Sequence, residues 1–238
     1  MPGDERNTGH AAPRAFDATR IWVFDLDNTL YPADCNLFAE IDQRMGTFIQ
    51  RHLDVPWEHA RYLQKHYYRQ YGTTLAGLMR EHKMAPDAFL DYVHDIDLSP
   101  LPELPGLAVE IARLPGRKII FTAGSRRHAE RVAEKLGVLH LFDGICDIVG
   151  TGYVPKEQRE AYDRFIRAHD VLPEQAAMFE DMPHNLVAAH DLGMTTVLVH
   201  STYMDHPAQA KFKTWITPPA HVHHLSDVLV RFLGALKP

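Results

Sequence analysis

Four short segments of the 238-residue chain carry side chains that could act together on a phosphate ester. The first is Asp25-Leu26-Asp27-Asn28-Thr29. In an extended segment residues i and i+2 point the same way, so Asp25 and Asp27 can share one site. Two carboxylates a few ångströms apart repel, and a bound cation or a shared proton makes that arrangement tolerable. A hard cation such as Mg²⁺ takes oxygen ligands and keeps several waters, so two or three carboxylate oxygens from the protein are enough. The second segment is Thr122-Ala123-Gly124, a hydroxyl followed by small residues that let backbone N–H groups approach a phosphate. Lys156 could offset the charge of a carboxylate and a phosphate together, and Glu180-Asp181 forms a second acidic pair. Each piece is ordinary alone; their occurrence in order at successive strand ends is not.

Those strand ends follow from five short apolar runs: 21–25 (IWVFD), 118–122 (KIIFT), 145–149 (ICDIV), 176–180 (AAMFE) and 195–199 (TTVLV). Runs this short and apolar suit strands buried on both faces. Helical stretches are predicted between the last four, over 126–136 stopped by Gly137, over 156–169 with Lys156 at its start, and over 183–192 stopped by Gly193. Strand alternating with helix predicts a doubly wound α/β core with a parallel sheet, whose ligands sit beyond the carboxyl ends of the strands.

The segment between the first two strands reads as an inserted helical cap. Leu37, Phe38, Ile41, Met45, Phe48, Ile49 and Leu53 recur at helical spacing, and further helices are predicted over 57–71, 74–83 and 86–94. A proline-rich connector, 99–106 (SPLPELPG), returns the chain to the core as a semi-rigid arm. The organisation expected is a disordered tail over 1–18, a core over 19–34 and 103–238, and a cap over 35–102 hanging above the strand ends.

Composition narrows the function classes. The 25 Lys and Arg against 31 Asp and Glu give a net charge of −6 with no basic run, which argues against nucleic acid as partner. No apolar stretch approaches a membrane span or a signal peptide, so a cytoplasmic protein with no membrane partner is expected. Two cysteines, Cys35 and Cys146, are read as free thiols, and the sixteen scattered histidines are assigned no metal.

The ordered set Asp25-x-Asp27-x-Thr29, Thr122, Lys156 and Glu180-Asp181 resembles the four signature motifs of the haloacid dehalogenase superfamily. The resemblance implies that Asp25 is a nucleophile forming an aspartyl-phosphate and Asp27 the general acid and base. It implies that Thr122 and Lys156, with Asn28, Ala123 and Gly124, bind the phosphoryl group. Asp25, the backbone carbonyl of Asp27, and Asp181 would hold Mg²⁺, with Glu180 an additional or more distant ligand. An acid two residues after the nucleophile fits phosphatases and phosphomutases. The cap phrases around Tyr67–Tyr68–Arg69–Gln70–Tyr71–Gly72–Thr73–Thr74, Gly77-Leu78 and Val93-His94-Asp95-Ile96-Asp97, with LFDGI and FEDMPHNL in the core, are similar to those of pyrimidine 5'-nucleotidases. Tyr71, Thr74 and His94 are the expected substrate contacts. Two residues depart from the pattern: Ala123 where many relatives have Asn, and Ala76 where they have a basic residue. The expected partner is a small phosphorylated metabolite, a nucleoside monophosphate, handled by a monomer or weak homodimer. A broader phosphatase on sugar phosphates or phosphoglycolate, and a catalytically silent scaffold, are the alternatives.

Overall fold

The run Ile21–Phe24 forms the first strand, β1, and every one of its side chains is buried. Trp22 and Phe24 point into one apolar cluster and Ile21 and Val23 into the other, which is why the run is unbroken rather than alternating. The computed structural model describes residues 14–200 and 218–236. The elements after β1 are α1 (Leu37–Leu53), α2 (Trp57–Tyr71), α3 (Thr74–His82), α4 (Pro86–Val93), α5 (Leu107–Arg113), β2 (Arg117–Phe121), α6 (Arg126–Lys135), β3 (Gly144–Cys146), α7 (Arg159–His169), β4 (Ala176–Glu180), α8 (Leu186–Asp191), β5 (Thr195–Val199), β6 (His224–Ser226) and α9 (Leu229–Ala235).

The strands form one six-stranded sheet in the order β3-β2-β1-β4-β5-β6, with every pairing parallel. The doubly wound α/β expectation therefore holds, with β1 central and flanked by β2 and β4, at the point where the strand order reverses. In sheets of this kind that crevice is where ligands bind. Register brings the strand ends together: Phe24 pairs with Ile120 on one side and Phe179 on the other. Asp25, Thr122 and Glu180-Asp181 therefore emerge side by side. Helices α1 to α4 leave directly after β1 and pack on one another, α1 against α2 and α4, and α2 against α3.

Five details differ from the sequence reading. Helix α7 begins at Arg159, so Lys156 stands in the preceding turn instead of on the helix. Strand β3 stops at Cys146 because Asp147 turns the chain, its carboxylate accepting the backbone N–H groups of Arg126 and Gly150 at 2.9 Å each. A sixth strand, β6, extends the sheet; three residues with a mixed burial pattern carry almost no periodic signal. Helices α5 and α9, also short, pack against each other on the same face as β1's aromatics. The N-terminal tail expected over 1–18 lies outside the described residues as far as residue 13, while Phe16 stacks on Trp22 at 5.7 Å, so ordered contacts begin before residue 19. No described helix is long and apolar enough to cross a membrane.

Candidate active site

At the end of β1 the chain leaves the sheet through a turn in which Asn28 takes a left-handed conformation, φ 61°. Asn tolerates that region better than most side chains, and the turn lets Asp25 and Asp27 diverge. Asp25 turns to Lys156, whose Nζ donates to Asp25 Oδ1 at 2.7 Å, to Glu180 Oε2 at 2.6 Å and to the Phe121 carbonyl at 2.8 Å. All three protons of the ammonium are thus used, which fixes its position.

The ligand atoms of Asp25, Glu180 and Asp181 lie within 4.8 Å of one another, and all three residues are buried. Burial, then the charge of Glu180, pushes the Asp25 carboxyl up to about 7 despite Lys156. Burial and the charge of Glu180 likewise push Asp181 well above the usual carboxylate range. Burial would lower the Lys156 ammonium, but Asp25 and Glu180 outweigh it and raise it above the ordinary lysine value. Three buried carboxylates against one ammonium leave an excess of negative charge, and an oxygen-rich set of this kind suits a hard divalent cation. The Asp27 carboxylate is outside this cluster.

Asp27 turns instead to Tyr31 and His128. Its Oδ1 accepts from the Tyr31 hydroxyl at 2.6 Å and from His128 Nε2 at 2.8 Å. Burial would raise this carboxyl, yet His128 and Tyr31 outweigh it and hold it below the usual range. The two aspartates of one short motif therefore occupy environments that drive them apart, Asp25 upward and Asp27 downward.

Two adjoining cavities open over the strand ends. The smaller, about 150 Å³, is lined by Asp25, Asp27, Asn28, Thr122, Lys156 and Asp181, and by Phe38, Tyr68, Gly72 and Thr73 from the helical insert. Among the described residues the backbone N–H groups of Asp27, Asn28 and Ala123, all on its wall, make no hydrogen bond. Amides of this kind form anion-binding concavities. Thr122 is buried and its hydroxyl oxygen accepts from Gly124 N at 2.9 Å, which shapes the loop after β2. The insert comes close to the core at Gly72, where a Cβ would lie 2.5 Å from Glu157 Oε1 and 2.7 Å from Pro155 Cβ. Tyr68 Oη stands 3.4 Å from His184 Nε2 across the same gap.

The larger cavity, about 250 Å³, shares Asp27, Phe38, Tyr68, Thr73 and Ala123 with the smaller and continues under the insert. Its wall is mainly apolar, from Ile41, Met45, Leu75, Phe89, Leu90 and Val93, with Lys65 and Arg69 among its polar groups. Thr74 and His94, the residues expected to contact substrate, line it. Thr74 Oγ1 donates to the Gln64 carbonyl at 3.2 Å, and burial pushes the His94 imidazole down to about 3, so the ring is neutral. Tyr71 is a correction: it lines neither cavity, and its hydroxyl donates to Glu81 with Arg80 over its ring. Helical periodicity assigns a residue to a face but not to a partner, and the half-buried Tyr71 packs beside Tyr67 instead of entering either cavity. Ala123 lines both cavities, so that departure falls at the site, whereas Ala76 lines neither.

The sequence reading missed Tyr31, His128 and His184. Tyr31 follows Asp27 by four residues and could have been weighed as a local partner; His128, 101 positions away, gave no signal beyond its place one turn after Ser125.

Residues 19–193 match the family model of hydrolases described as haloacid dehalogenase-like. The chain is 29% identical over 140 residues to Phosphate metabolism protein 8 of Saccharomyces cerevisiae, covering 54% of this chain and 43% of that protein. It is 36% identical over 86 residues to Validoxylamine A 7'-phosphate phosphatase of Streptomyces hygroscopicus subsp. limoneus, covering 35% of this chain and 39% of the other. The alignments thus span less than half the length of these curated relatives. Among solved structures, CbbY from Rhodobacter sphaeroides in complex with phosphate superposes with a TM-score of 0.60 at 22% identity, over 90% of this chain and 96% of that one, a likeness of fold.

Proposed function

Because the chain belongs to the haloacid dehalogenase-like hydrolases, we propose that it is a Mg²⁺-dependent phosphatase that dephosphorylates nucleoside 5'-monophosphates through an aspartyl-phosphate. The observation that carries this reading is the buried group of Asp25, Glu180 and Asp181 around Lys156, beside a cavity walled by unpartnered amides. Asp25, Glu180, Asp181 and the Asp27 carbonyl would hold the cation. Bound there, it supplies the positive charge that lets an anionic carboxylate approach an anionic ester.

The rest is done by the chain's own side chains. Lys156 holds Asp25 Oδ1, which leaves Oδ2 as the attacking atom. The amides of Asp27, Asn28 and Ala123, with Thr122, hold the non-bridging phosphoryl oxygens as charge shifts onto them. Asp25 attacks phosphorus, the ester P–O bond breaks, and Asp27 gives its proton to the departing oxygen. Asp27 then takes a proton from the water that hydrolyses the aspartyl-phosphate, restoring both residues.

The nucleoside part of the reading is supported by the resemblance of the cap and by the 250 Å³ cavity, contiguous with the phosphoryl end and mainly apolar. A flat base suits such walls better than a polyol does. The similar proteins bear the names of a phosphate metabolism protein and a validoxylamine A 7'-phosphate phosphatase, which support the phosphatase class. The test is phosphate release from a panel of nucleoside monophosphates and sugar phosphates, with Mg²⁺ and with EDTA. Preference for pyrimidine nucleotides with Mg²⁺ is expected. Equal rates on all esters would replace the nucleotide reading with a broad phosphatase, and no release from any would leave a silent scaffold.

A further inference from the structure

The Asp27 carboxylate is held from one side only. Tyr31 Oη and His128 Nε2 both donate to Oδ1, at 2.6 and 2.8 Å, while Oδ2 has no hydrogen-bond partner among the described residues. Asp27 lines both cavities, so the oxygen left over faces the space where an ester would sit. Oδ1 already accepts two hydrogen bonds, so the proton that Asp27 would deliver belongs on Oδ2.

The His128 ring is itself held. It is fully buried, its backbone N–H donates to Ser125 Oγ at 3.3 Å, and its ring stacks on that of His94 at 4.5 Å and 15°. Ser125 Oγ also lies 3.1 Å from His94 Nδ1, and Arg131 donates to the carbonyls of His94 and Ile96 at 2.8 Å each. His94 caps the C-terminus of α4, the last helix of the insert. A continuous chain of contacts thus runs from the insert to Asp27.

Packing alone does not explain an imidazole here. Its Nδ1 is buried without a partner, and an unsatisfied buried polar atom costs stability that an apolar side chain of similar size would not. The one side-chain hydrogen bond that the ring makes among the described residues is to Asp27.

We infer that His128 is a positioning residue for the general acid: with Tyr31 it pins Asp27 Oδ1 so that Oδ2 meets the leaving oxygen, and stacking on His94 ties that alignment to the helical insert. The inference rests on the phosphatase reading. It differs from it in predicting a dependence on the leaving group, because in the first phosphoryl transfer only an ester whose alcohol must be protonated as it departs needs Asp27 aligned.

The experiment compares kcat/KM, which covers the steps up to the first phosphoryl transfer, for an alkyl ester such as UMP and for 2,4-dinitrophenyl phosphate, whose leaving group needs no proton. His128→Leu should lower the value for UMP by about 10²-fold, the scale of a general-acid contribution, with a fall of under ~3-fold for the dinitrophenyl ester. His128→Gln, which keeps an N–H donor, should recover most of the loss. Tyr31→Phe keeps the volume and removes the other donor, so it should show the same selective loss, and it decides the matter if His128→Leu does not fold. Equal losses on both esters in the folded variants, or no loss on either, would overturn the positioning role. Failure of the unsubstituted protein to release phosphate from any ester would overturn the phosphatase reading, and the inference with it.

Discussion

At the scale of single residues, the proposed chemistry turns on two aspartates that differ in what they touch. Asp25→Asn should abolish turnover with the fold intact, because an amide cannot form the acyl phosphate. Retention of a tenth of the original kcat would show that Asp25 is not the nucleophile. Asp27→Asn should slow alkyl esters by roughly 10² to 10⁴-fold while still accumulating a trapped phosphoenzyme, readable by acid quench and mass spectrometry. Asp181→Ala should raise the Mg²⁺ concentration for half activity, since one of three clustered carboxylates is lost. An unchanged metal requirement would move the ligand elsewhere. Tyr71→Ala, by contrast, should leave kcat/KM for UMP close to the original, because its hydroxyl is engaged by Glu81 outside both cavities. A tenfold loss there would place Tyr71 back in recognition.

At the scale of elements, substrate selection on the proposed reading would depend on how tightly α2 and α3 are seated over the strand ends. Thr73 caps α3, its hydroxyl accepting the Ala76 N–H at 3.0 Å, and residues of the same turn line both cavities. Gly77 lets α3 lie on α2: a Cβ there would stand 2.3 Å from Tyr67 Cβ, closer than any rearrangement of a flexible tip could relieve. Gly77→Ala should therefore destabilise the protein by about 1–3 kcal/mol, the usual range for forced overpacking, and raise KM for a nucleotide more than for a small aryl phosphate. Denaturant unfolding measures the first and steady-state kinetics the second. An unchanged midpoint would mean that the two helices are not held at this distance.

At the scale of the molecule, the buried acidic cluster links folding to pH and, on the proposed reading, would link it to a bound cation. Asp25 is raised from 3.8 to about 7, and Asp181 is raised as well. The folded chain therefore holds more protons than the unfolded chain between about pH 4 and pH 7, and the contribution of these groups to stability falls as pH rises through that window. Buried His94 and half-buried His223, pushed down to about 3 and about 4, act oppositely below their ordinary value of 6.5, so a comparison with a variant isolates the cluster. In EDTA, Asp25→Asn should melt higher than the original chain at pH 8, with the gap narrowing towards pH 5. Mg²⁺ should raise the original chain's Tm at pH 8 and raise the variant's less. A gap that widens on acidification would contradict the burial argument.

The amino-acid sequence by itself determined the architecture of the core and which candidate residues it gathers at the strand ends. Unbroken apolar runs such as 21–24 can be satisfied only inside a sheet covered on both faces, and helices between such runs leave a parallel order as the consistent outcome. Asp25, Asp27, Thr122, Lys156, Glu180 and Asp181 were legible because each stands where a strand or its following turn ends, which is a local property. Short elements were not legible: β6 has three residues, too few for any period, and α5 was hidden behind the proline-rich connector. Partners distant in sequence were not legible either. Tertiary structure alone decided that His128 and Tyr31 converge on one oxygen of Asp27, that His94 stacks on His128, and that Tyr71 faces away from the cavities. The physical reason is that periodicity fixes which face of an element a side chain occupies, whereas its partner depends on how two elements meet, and that is set by the summed contacts of the whole core.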